Sequence, residues 1–226
     1  MITLNSDAAS TSLSKTTKAI LNEYGIKLNK NLGQNYLIDR NKRDQIIQFG
    51  NLTKDDVVLE IGPGIGTLTI ELAKRVKKVI AIEQDSNICQ ILENRLKKEN
   101  IDNVELINDD ALNVEFPKFD KIISNLPYQI SSPITFKFLN YDFQLAILMY
   151  QKEFASRMNG KVGSKDYSRL SAMLYFKCDV DLLTGVSAES FIPKPKVDST
   201  VVRLTPKLPE LNGQLKHLNI NEIRNS

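Results

Sequence analysis

Short apolar runs alternate with amphipathic segments through the middle of the sequence. The runs cover residues 57–61, 79–82, 104–107, 121–124 and 145–149. The segments between them include 68–76, 87–98 and 134–139, where apolar residues recur at helical spacing. Nearly continuous apolar strands that alternate with helices are typical of parallel βαβ units. The pattern therefore predicts an α/β fold with a mostly parallel sheet and helices on both of its faces.

Two further strands are predicted at residues 179–184 and 197–204, joined by a proline-containing stretch at 191–195. The alternation between Val197 and Arg203 favours an antiparallel pair at the end of a seven-stranded sheet. Helices are also predicted at 169–176 and at 39–49, where Ile46, Ile47 and Phe49 are expected to face inward.

The chain length favours a single core domain. A chain of 226 residues that was divided into two domains would leave both undersized, so we assign one domain to residues 27–206. An N-terminal extension at 1–26 is expected to be disordered to about residue 14 and then to form a short helix that ends at Gly25. The polar residues 207–226 are expected to form a loose tail.

Composition narrows the classes of function. The formal net charge of +3 at pH 7 permits a polyanionic partner without indicating one. Cys89 and Cys178 lack the spacing of a disulfide framework or a zinc site, and His217 is the only histidine, so we expect no metal. No apolar run is long enough to span a bilayer and the first residues are polar, so we expect a cytoplasmic protein without a membrane segment.

Three glycines, Gly62, Gly64 and Gly66, follow the first predicted strand in the segment EIGPGIG at 60–66. A side chain at such a strand-to-helix turn would keep a ligand away from the backbone, although glycines can also serve structure alone. A dinucleotide-binding loop has its third glycine one residue later. The spacing here instead resembles the methionine-binding loop of class I S-adenosylmethionine-dependent methyltransferases, which have a Rossmann-like fold.

Acidic residues follow the next two predicted strands. Glu83 ends the second strand, where a carboxylate can accept hydrogen bonds from both hydroxyls of a ligand ribose. The structural alternative for Glu83 is an exposed strand-end acid. Asp110 follows the third strand and is a candidate acceptor for the amino group of a ligand adenine, with Asp109 as its rival. Asp85 is interpreted as a helix cap or a surface acid.

The segment Asn125-Leu126-Pro127-Tyr128 follows the fourth strand and is the most informative part of the chain. The amino nitrogen of adenine is a poor nucleophile, because its lone pair is delocalised into the ring. The Asn125 side chain and a backbone carbonyl around Leu126 can hold the two amino hydrogens and favour a pyramidal nitrogen. Pro127 stiffens the turn, and Tyr128 offers a face on which the base can stack. The alternative is an ordinary Asn/Pro turn with a surface tyrosine.

With these motifs the chain resembles the ribosomal RNA adenine dimethyltransferase family of the KsgA type, which is related to the erythromycin-resistance ribosomal RNA methylases. The similarity covers residues from about 30 to 206. The glycine loop is one of its marks, and the others are the segments LGQNYL at 32–37, NLPYQISSP at 125–133, QKE at 151–153, YSRLS at 167–171 and FIPKPKVDS at 191–199.

The resemblance implies an enzyme that uses S-adenosylmethionine to dimethylate the 6-amino group of adenosines in small-subunit ribosomal RNA during ribosome biogenesis. Its expected partner is the immature small ribosomal subunit, and we expect it to act as a monomer. The resemblance also implies that Gln34, Asn35 and Leu37 border the cofactor and that Phe191 faces Tyr128 across the target base. The alternative for Phe191 is a core phenylalanine.

Other functions stay open at this point. One is a large-subunit adenine methylase that confers antibiotic resistance, and another is a non-catalytic nucleic-acid-binding factor that retains the fold. Methylation of DNA adenine or protein glutamine is a weaker option, since those enzymes usually carry a second proline where Leu126 stands. Family members usually continue into a C-terminal helical domain, and only about twenty residues follow Pro206 here. The chain is therefore expected to be a minimal member or a fragment, which leaves RNA recognition in question.

Overall fold

The computed structural model describes residues 12–26 and 35–207. Its helices are α1 (Leu13–Glu23), α2 (Arg40–Phe49), α3 (Thr69–Ala73), α4 (Ser86–Lys98), α5 (Ser131–Phe138), α6 (Lys152–Met158) and α7 (Arg169–Lys177). Its strands are β1 (Tyr36–Leu37), β2 (Val57–Ile61), β3 (Lys78–Glu83), β4 (Val104–Asn108), β5 (Lys121–Asn125), β6 (Leu145–Gln151), β7 (Cys178–Val186), β8 (Phe191–Ile192) and β9 (Ser199–Pro206).

Seven of these strands form one sheet in the order β4-β3-β2-β5-β6-β9-β7. The first five are parallel neighbours, whereas β9 runs antiparallel to both β6 and β7. The predicted sheet, mostly parallel with an antiparallel terminal pair, is confirmed. The chain order of the strands reverses between β2 and β5, and an open α/β sheet forms its ligand crevice beside such a point.

Helices cover both faces of the sheet, as predicted. On one face, Phe138 of α5 and Leu174 of α7 are fully buried in the core that contains Leu59 of β2. On the other face, Ile46 of α2 and Leu72 of α3 are buried in a second core. Apolar side chains on both faces explain why the central strands read as continuous apolar runs rather than as alternating ones.

The N-terminal helix α1 packs beside the loop that follows β2. Ile20 and Leu21 are buried in one cluster with Ile65 of that loop and with Ile88 and Ile91 of α4. The helix ends where the sequence predicts, because Gly25 follows with a positive φ of 59°. Part of the predicted N-terminal extension therefore supports the glycine loop directly.

Several boundaries differ from the predicted ones for identifiable reasons. Helix α5 begins at Ser131 rather than at residue 134, because Pro133 lies in the first helical turn, where its missing N–H is not needed. Strand β9 begins at Ser199, and Val197 before it is 44% exposed. Helix α6 and the pairing of β1 with β8 were not predicted, and two-residue strands are too short to show a periodic pattern.

A buried ion pair joins the start of β2 to the start of β5. Lys121 Nζ lies 2.9 Å from Asp56 Oδ2 and 2.7 Å from the carbonyl oxygen of Asn51. Burial disfavours the ionised form of Asp56, but hydrogen bonds from Thr53 and Lys121 outweigh this effect and hold its pKa below the usual value. The pair fixes the two strands between which the crevice opens.

We predict that Asp56→Ala lowers the free energy of unfolding by about 3 kcal/mol, because it leaves the Lys121 ammonium buried without its counter-ion. Urea denaturation measures the change. Asp55→Ala, at the exposed neighbouring position, is the control and should change the same quantity by less than about 0.5 kcal/mol. Equal losses for the two variants would contradict the prediction.

Candidate functional site

A cavity of about 200 Å³ opens at the carboxyl ends of the parallel strands. Its walls come from residues 35–37, 60–64, 67–68, 82–85, 109–111 and 125–130. Most residues of the predicted site lie among them, namely Asn35, Leu37, Gly62, Gly64, Glu83, Asp110, Asn125, Leu126, Pro127 and Tyr128. Gln34 lies outside the residues that the structure describes. Gly66 and Phe191 are described, and neither is among the lining residues.

One short hydrogen bond fixes the two strand ends at the centre of this cavity. The hydroxyl of Ser124 in β5 donates to the carbonyl oxygen of Ile61 in β2 over 2.5 Å. The next residues along the two chains are Asn125 and Gly62. A Cβ at Gly62 would lie 3.0 Å from Cγ of Pro127, so the glycine loop and the Asn125–Tyr128 turn are in direct contact.

The glycine loop is also tied to the end of β3. The backbone N–H of Gly64 donates to Glu83 Oε2 over 3.2 Å, and the N–H of Asp85 donates to Glu83 Oε1 over 3.0 Å. Burial raises the pKa of Glu83, the charge of Asp85 adds to this effect, and the backbone hydrogen bonds oppose it. Each carboxylate oxygen keeps a further lone pair for a ligand hydroxyl, so Glu83 is oriented and still able to bind.

Gly66 serves packing rather than the cavity wall. A Cβ there would lie 2.5 Å from Cδ1 of Leu92 in α4. The third glycine of the loop therefore allows α4 to pack closely against the loop. This packing role explains why Gly66 belongs to the glycine motif without lining the cavity.

The acids that follow β3 and β4 have different hydrogen-bond partners. Asp85 accepts hydrogen bonds from the first-turn N–H groups of α4, so its interpretation as a helix cap is confirmed. The carboxylate of Asp110 accepts from the N–H of Leu112 over 2.9 Å and from the side chain of Asn113 over 3.0 Å. Asp109 and Asp110 both line the cavity, and therefore both stay candidates for contact with a ligand adenine.

The Asn125–Tyr128 turn presents polar groups at the cavity while its apolar part is buried. The Asn125 side-chain N–H donates to the carbonyl oxygen of Asn35 over 3.1 Å, which leaves its own carbonyl as the acceptor. Leu126 is 2% exposed and anchors the turn in the core. The Tyr128 hydroxyl lies 2.6 Å from Ser199 Oγ in β9, and burial raises its pKa.

Phe191 is buried in the short strand that pairs with β1. Strand β8 runs antiparallel to β1, so Phe191 lies opposite Leu37, which lines the cavity. The side chain is 2% exposed and packs in the same core cluster as Leu37. Its place opposite Tyr128 across a target base stays a prediction.

Glu60 and Tyr36 are among the polar residues of the cavity wall that the sequence did not reveal. Glu60 is 2% exposed, and its Oε2 has no hydrogen-bond partner. Burial raises the pKa of Glu60 to about 8, and the nearby charge of Glu83 adds to the effect. The buried Tyr36 hydroxyl also has no hydrogen-bond partner. A charged residue inside the apolar run 57–61 was the signal that could have revealed Glu60.

Two structural findings bear on other classes of function. Residues 12–26 and 35–207 contain no group of three or more His, Cys, Asp and Glu side chains that could hold a metal ion. Within the same ranges, no helix has both the length and the apolar character needed to cross a membrane.

Comparison with known proteins gives a consistent result. Residues 25–220 match the family model described as ribosomal RNA adenine dimethylase. A protein of Methanosphaera stadtmanae named probable ribosomal RNA small subunit methyltransferase A is 54% identical over 191 residues, which cover 84% of this chain and 70% of that protein.

Two crystal structures extend the comparison to three dimensions. A dimethyladenosine transferase from Plasmodium falciparum is 40% identical with a TM-score of 0.73, over 82% of this chain and 66% of that one. The 23S ribosomal RNA methyltransferase ErmE is 34% identical with a TM-score of 0.69, over 76% of this chain and 70% of that one.

The raised pKa of Glu60 predicts a pH-dependent stability. Between its usual pKa of 4.5 and its folded value of about 8, the unfolded chain ionises Glu60 while the folded protein keeps it protonated. Unfolding is therefore increasingly favoured as the pH rises through this window. Glu60→Gln removes the effect, so its melting temperature should exceed that of the wild type by about 10 °C more at pH 8 than at pH 5.

Thermal denaturation followed by circular dichroism at several pH values measures this difference. Glu23→Gln changes an exposed acid on α1 and is the control, which should follow the wild type at every pH. Parallel pH curves for the wild type and Glu60→Gln would show that Glu60 does not titrate with the assigned shift.

Proposed function

The chain belongs to the ribosomal RNA adenine dimethylase family, and we propose that its cavity brings S-adenosylmethionine and an adenosine of small-subunit ribosomal RNA together beside Asn125. The observation that carries the proposal is the contact between the glycine loop and the Asn125–Tyr128 turn at the switch point of the sheet. A methyl donor and an acceptor base must meet within one cavity, and this contact joins the two loops suited to them.

The residues of the cavity fit the proposed cofactor. Glycine at position 64 leaves room beside the Tyr36 ring, since a Cβ there would lie 2.9 Å from Tyr36 Cε1. Acidic acceptors stand at the ends of β3 and β4, where Glu83 suits the ribose hydroxyls and Asp109 or Asp110 suits the adenine amino group. Asn35 and Leu37 close the wall from β1. When bound, S-adenosylmethionine supplies an activated methyl group together with its own leaving group.

The protein's share in the reaction is to orient the base and its amino group. The Asn125 side-chain carbonyl and the Leu126 backbone carbonyl accept hydrogen bonds from the two amino hydrogens, which favours a pyramidal nucleophilic nitrogen. Tyr128 provides a stacking face, and its hydrogen bond to Ser199 fixes the ring against β9. Rigid positioning of this kind can supply a large part of a rate enhancement without a strong general base.

The small subunit is favoured over the large one as the source of the adenosine. The relative named as a small-subunit methyltransferase is 54% identical, whereas the 23S ribosomal RNA methyltransferase is 34% identical. Exposed Lys194 and Lys196 follow β8 and are suited to contacts with RNA phosphates. We therefore assign the immature small ribosomal subunit as the partner and the cytoplasm as the place of action.

Incubation with labelled S-adenosylmethionine and immature small subunits tests the proposal. Dimethyladenosine in the small-subunit RNA, identified by nucleoside mass spectrometry, is the expected product. Methylation confined to large-subunit RNA would favour the resistance methylase instead. Intact cofactor binding without methylation would favour a non-catalytic nucleic-acid-binding factor.

Asn125 and Glu83 are expected to separate catalysis from cofactor binding. Asn125→Ala should lower kcat by about 100-fold or more, because it removes an acceptor for the amino group. It should weaken the binding of S-adenosylmethionine by no more than about fivefold, which is the effect of losing one neutral hydrogen bond such as that from Asn125 to Asn35. Glu83→Ala should instead weaken the cofactor by about tenfold or more.

Single-turnover kinetics and calorimetry measure the two effects separately. Asn87→Ala on the exposed side of α4 is the matched control and should change neither quantity. Loss of cofactor binding in Asn125→Ala, with kcat unchanged at saturation, would reverse the assigned roles.

A further inference from the structure

The described part of the cavity wall is rich in acidic side chains. Among the described residues that line it, five are acids and none is lysine, arginine or histidine. The acids are Glu60, Glu83, Asp85, Asp109 and Asp110. Negative charges around a cleft attract cationic ligands and disfavour anionic ones. The wall is thus suited to a ligand with a permanent positive charge, such as a sulfonium.

Glu60 is the most buried of these acids. It stands inside β2 between Leu59 and Ile61, is 2% exposed, and its Oε2 has no hydrogen-bond partner. The hydroxyl of Thr69 on α3 lowers the pKa of Glu60 and so opposes the effect of burial. The Thr69 hydroxyl itself has no hydrogen-bond partner within normal distance and angle. A buried carboxyl oxygen without a partner is costly, and this one belongs to a residue of the wall of a ligand cavity.

The sheet brings Glu60 and Glu83 to the same face. Glu60 is paired with Ala81 in the register of β2 and β3, and Glu83 lies two residues further along β3, where side chains again point to the Ala81 side. Glu83 is the charged group that acts on Glu60 from β3, Thr69 faces it from α3, and the phenol of Tyr36 lines the same cavity from β1. Glu60 thus has a like charge beside it, and the lining residues within 12–26 and 35–207 include no lysine or arginine.

We propose that Glu60 releases its proton to solvent when a cationic ligand enters the cavity, so that the cavity prefers the sulfonium of S-adenosylmethionine to the neutral thioether of its product. After methyl transfer the sulfur of the ligand has lost its positive charge, and Glu60 takes a proton back from solvent. The site then no longer holds the sulfur of the product by charge, and the product leaves. This inference rests on the proposed function and adds a means of distinguishing cofactor from product.

The protonation of Glu60 in the absence of ligand supports this sequence of events. With a pKa raised to about 8 by burial and by Glu83, Glu60 keeps its proton at pH 7. A positive charge placed nearby favours the carboxylate. The affinity for S-adenosylmethionine, divided by that for S-adenosylhomocysteine, should therefore rise with pH up to about pH 8 and level off above it.

Calorimetry of the whole chain in buffers of different ionisation enthalpy measures the protons released on binding. At pH 7 the wild type should release about one more proton per site with S-adenosylmethionine than with S-adenosylhomocysteine. Both ligands carry the same α-amino group, so its own titration is common to the two measurements. This comparison needs no variant and stands even if a substitution impairs folding.

Glu60→Gln and Thr69→Val test the residue itself. Glu60→Gln should abolish the release of the additional proton. It should weaken the binding of S-adenosylmethionine by about tenfold and change the binding of S-adenosylhomocysteine by no more than about threefold. Thr69→Val removes the hydroxyl that favours ionisation, and it should weaken S-adenosylmethionine at pH 7 more than at pH 9.

Three outcomes would overturn the inference. In the first, the wild type binds both ligands with equal proton release. In the second, Glu60→Gln weakens both ligands equally. Either result leaves the proposed function intact, because cofactor binding persists in the wild type. In the third, the wild type binds neither ligand, and the proposed function fails together with the inference.

Discussion

The hydrogen bond from the Ser124 hydroxyl to the Ile61 carbonyl fixes the geometry on which the rest of the site depends. It joins β2 and β5 at the point where the chain order of the sheet reverses. The glycine loop begins at the next residue after Ile61, and the Asn125–Tyr128 turn begins at the next residue after Ser124. Ser124 is 1% exposed, so the bond is shielded from competition by water. Because the two loops start from fixed neighbouring positions, Pro127 can rest directly on Gly62, and the donor and acceptor loops are held in contact.

Burial and charge shape the cavity together. Strand β3 ends in Glu83 and two acids follow β4. The backbone N–H of Gly64 in the glycine loop helps to hold Glu83 in place. Glu60 lies deeper, where the protein tolerates a carboxyl whose Oε2 has no internal partner. Such a group lowers the stability of the protein, and destabilising groups of this kind recur at binding sites.

The sequence predicted the sheet, its antiparallel end and most of the cavity wall, because long apolar runs and loops at strand ends leave local signals. Glu60 was missed because the pattern of a strand shows which residues are polar. It does not show which buried oxygen lacks a hydrogen-bond partner in the fold. The pairing of β8 with β1, which buries Phe191, was missed because a two-residue strand is too short to show a periodic pattern. Gly66 shows the same limit, since only the approach of Leu92 reveals that its lack of a side chain serves packing.

The Tyr128–Ser199 hydrogen bond links the Asn125–Tyr128 turn to β9, the central strand of the antiparallel end of the sheet. The parallel end carries the glycine loop and the acids, which are the groups proposed to bind the methyl donor. The groups proposed for donor and acceptor thus lie toward opposite ends of the sheet. A change of Ser199 would therefore reach Tyr128 directly, whereas Glu83 is held by backbone N–H groups that lie outside β9.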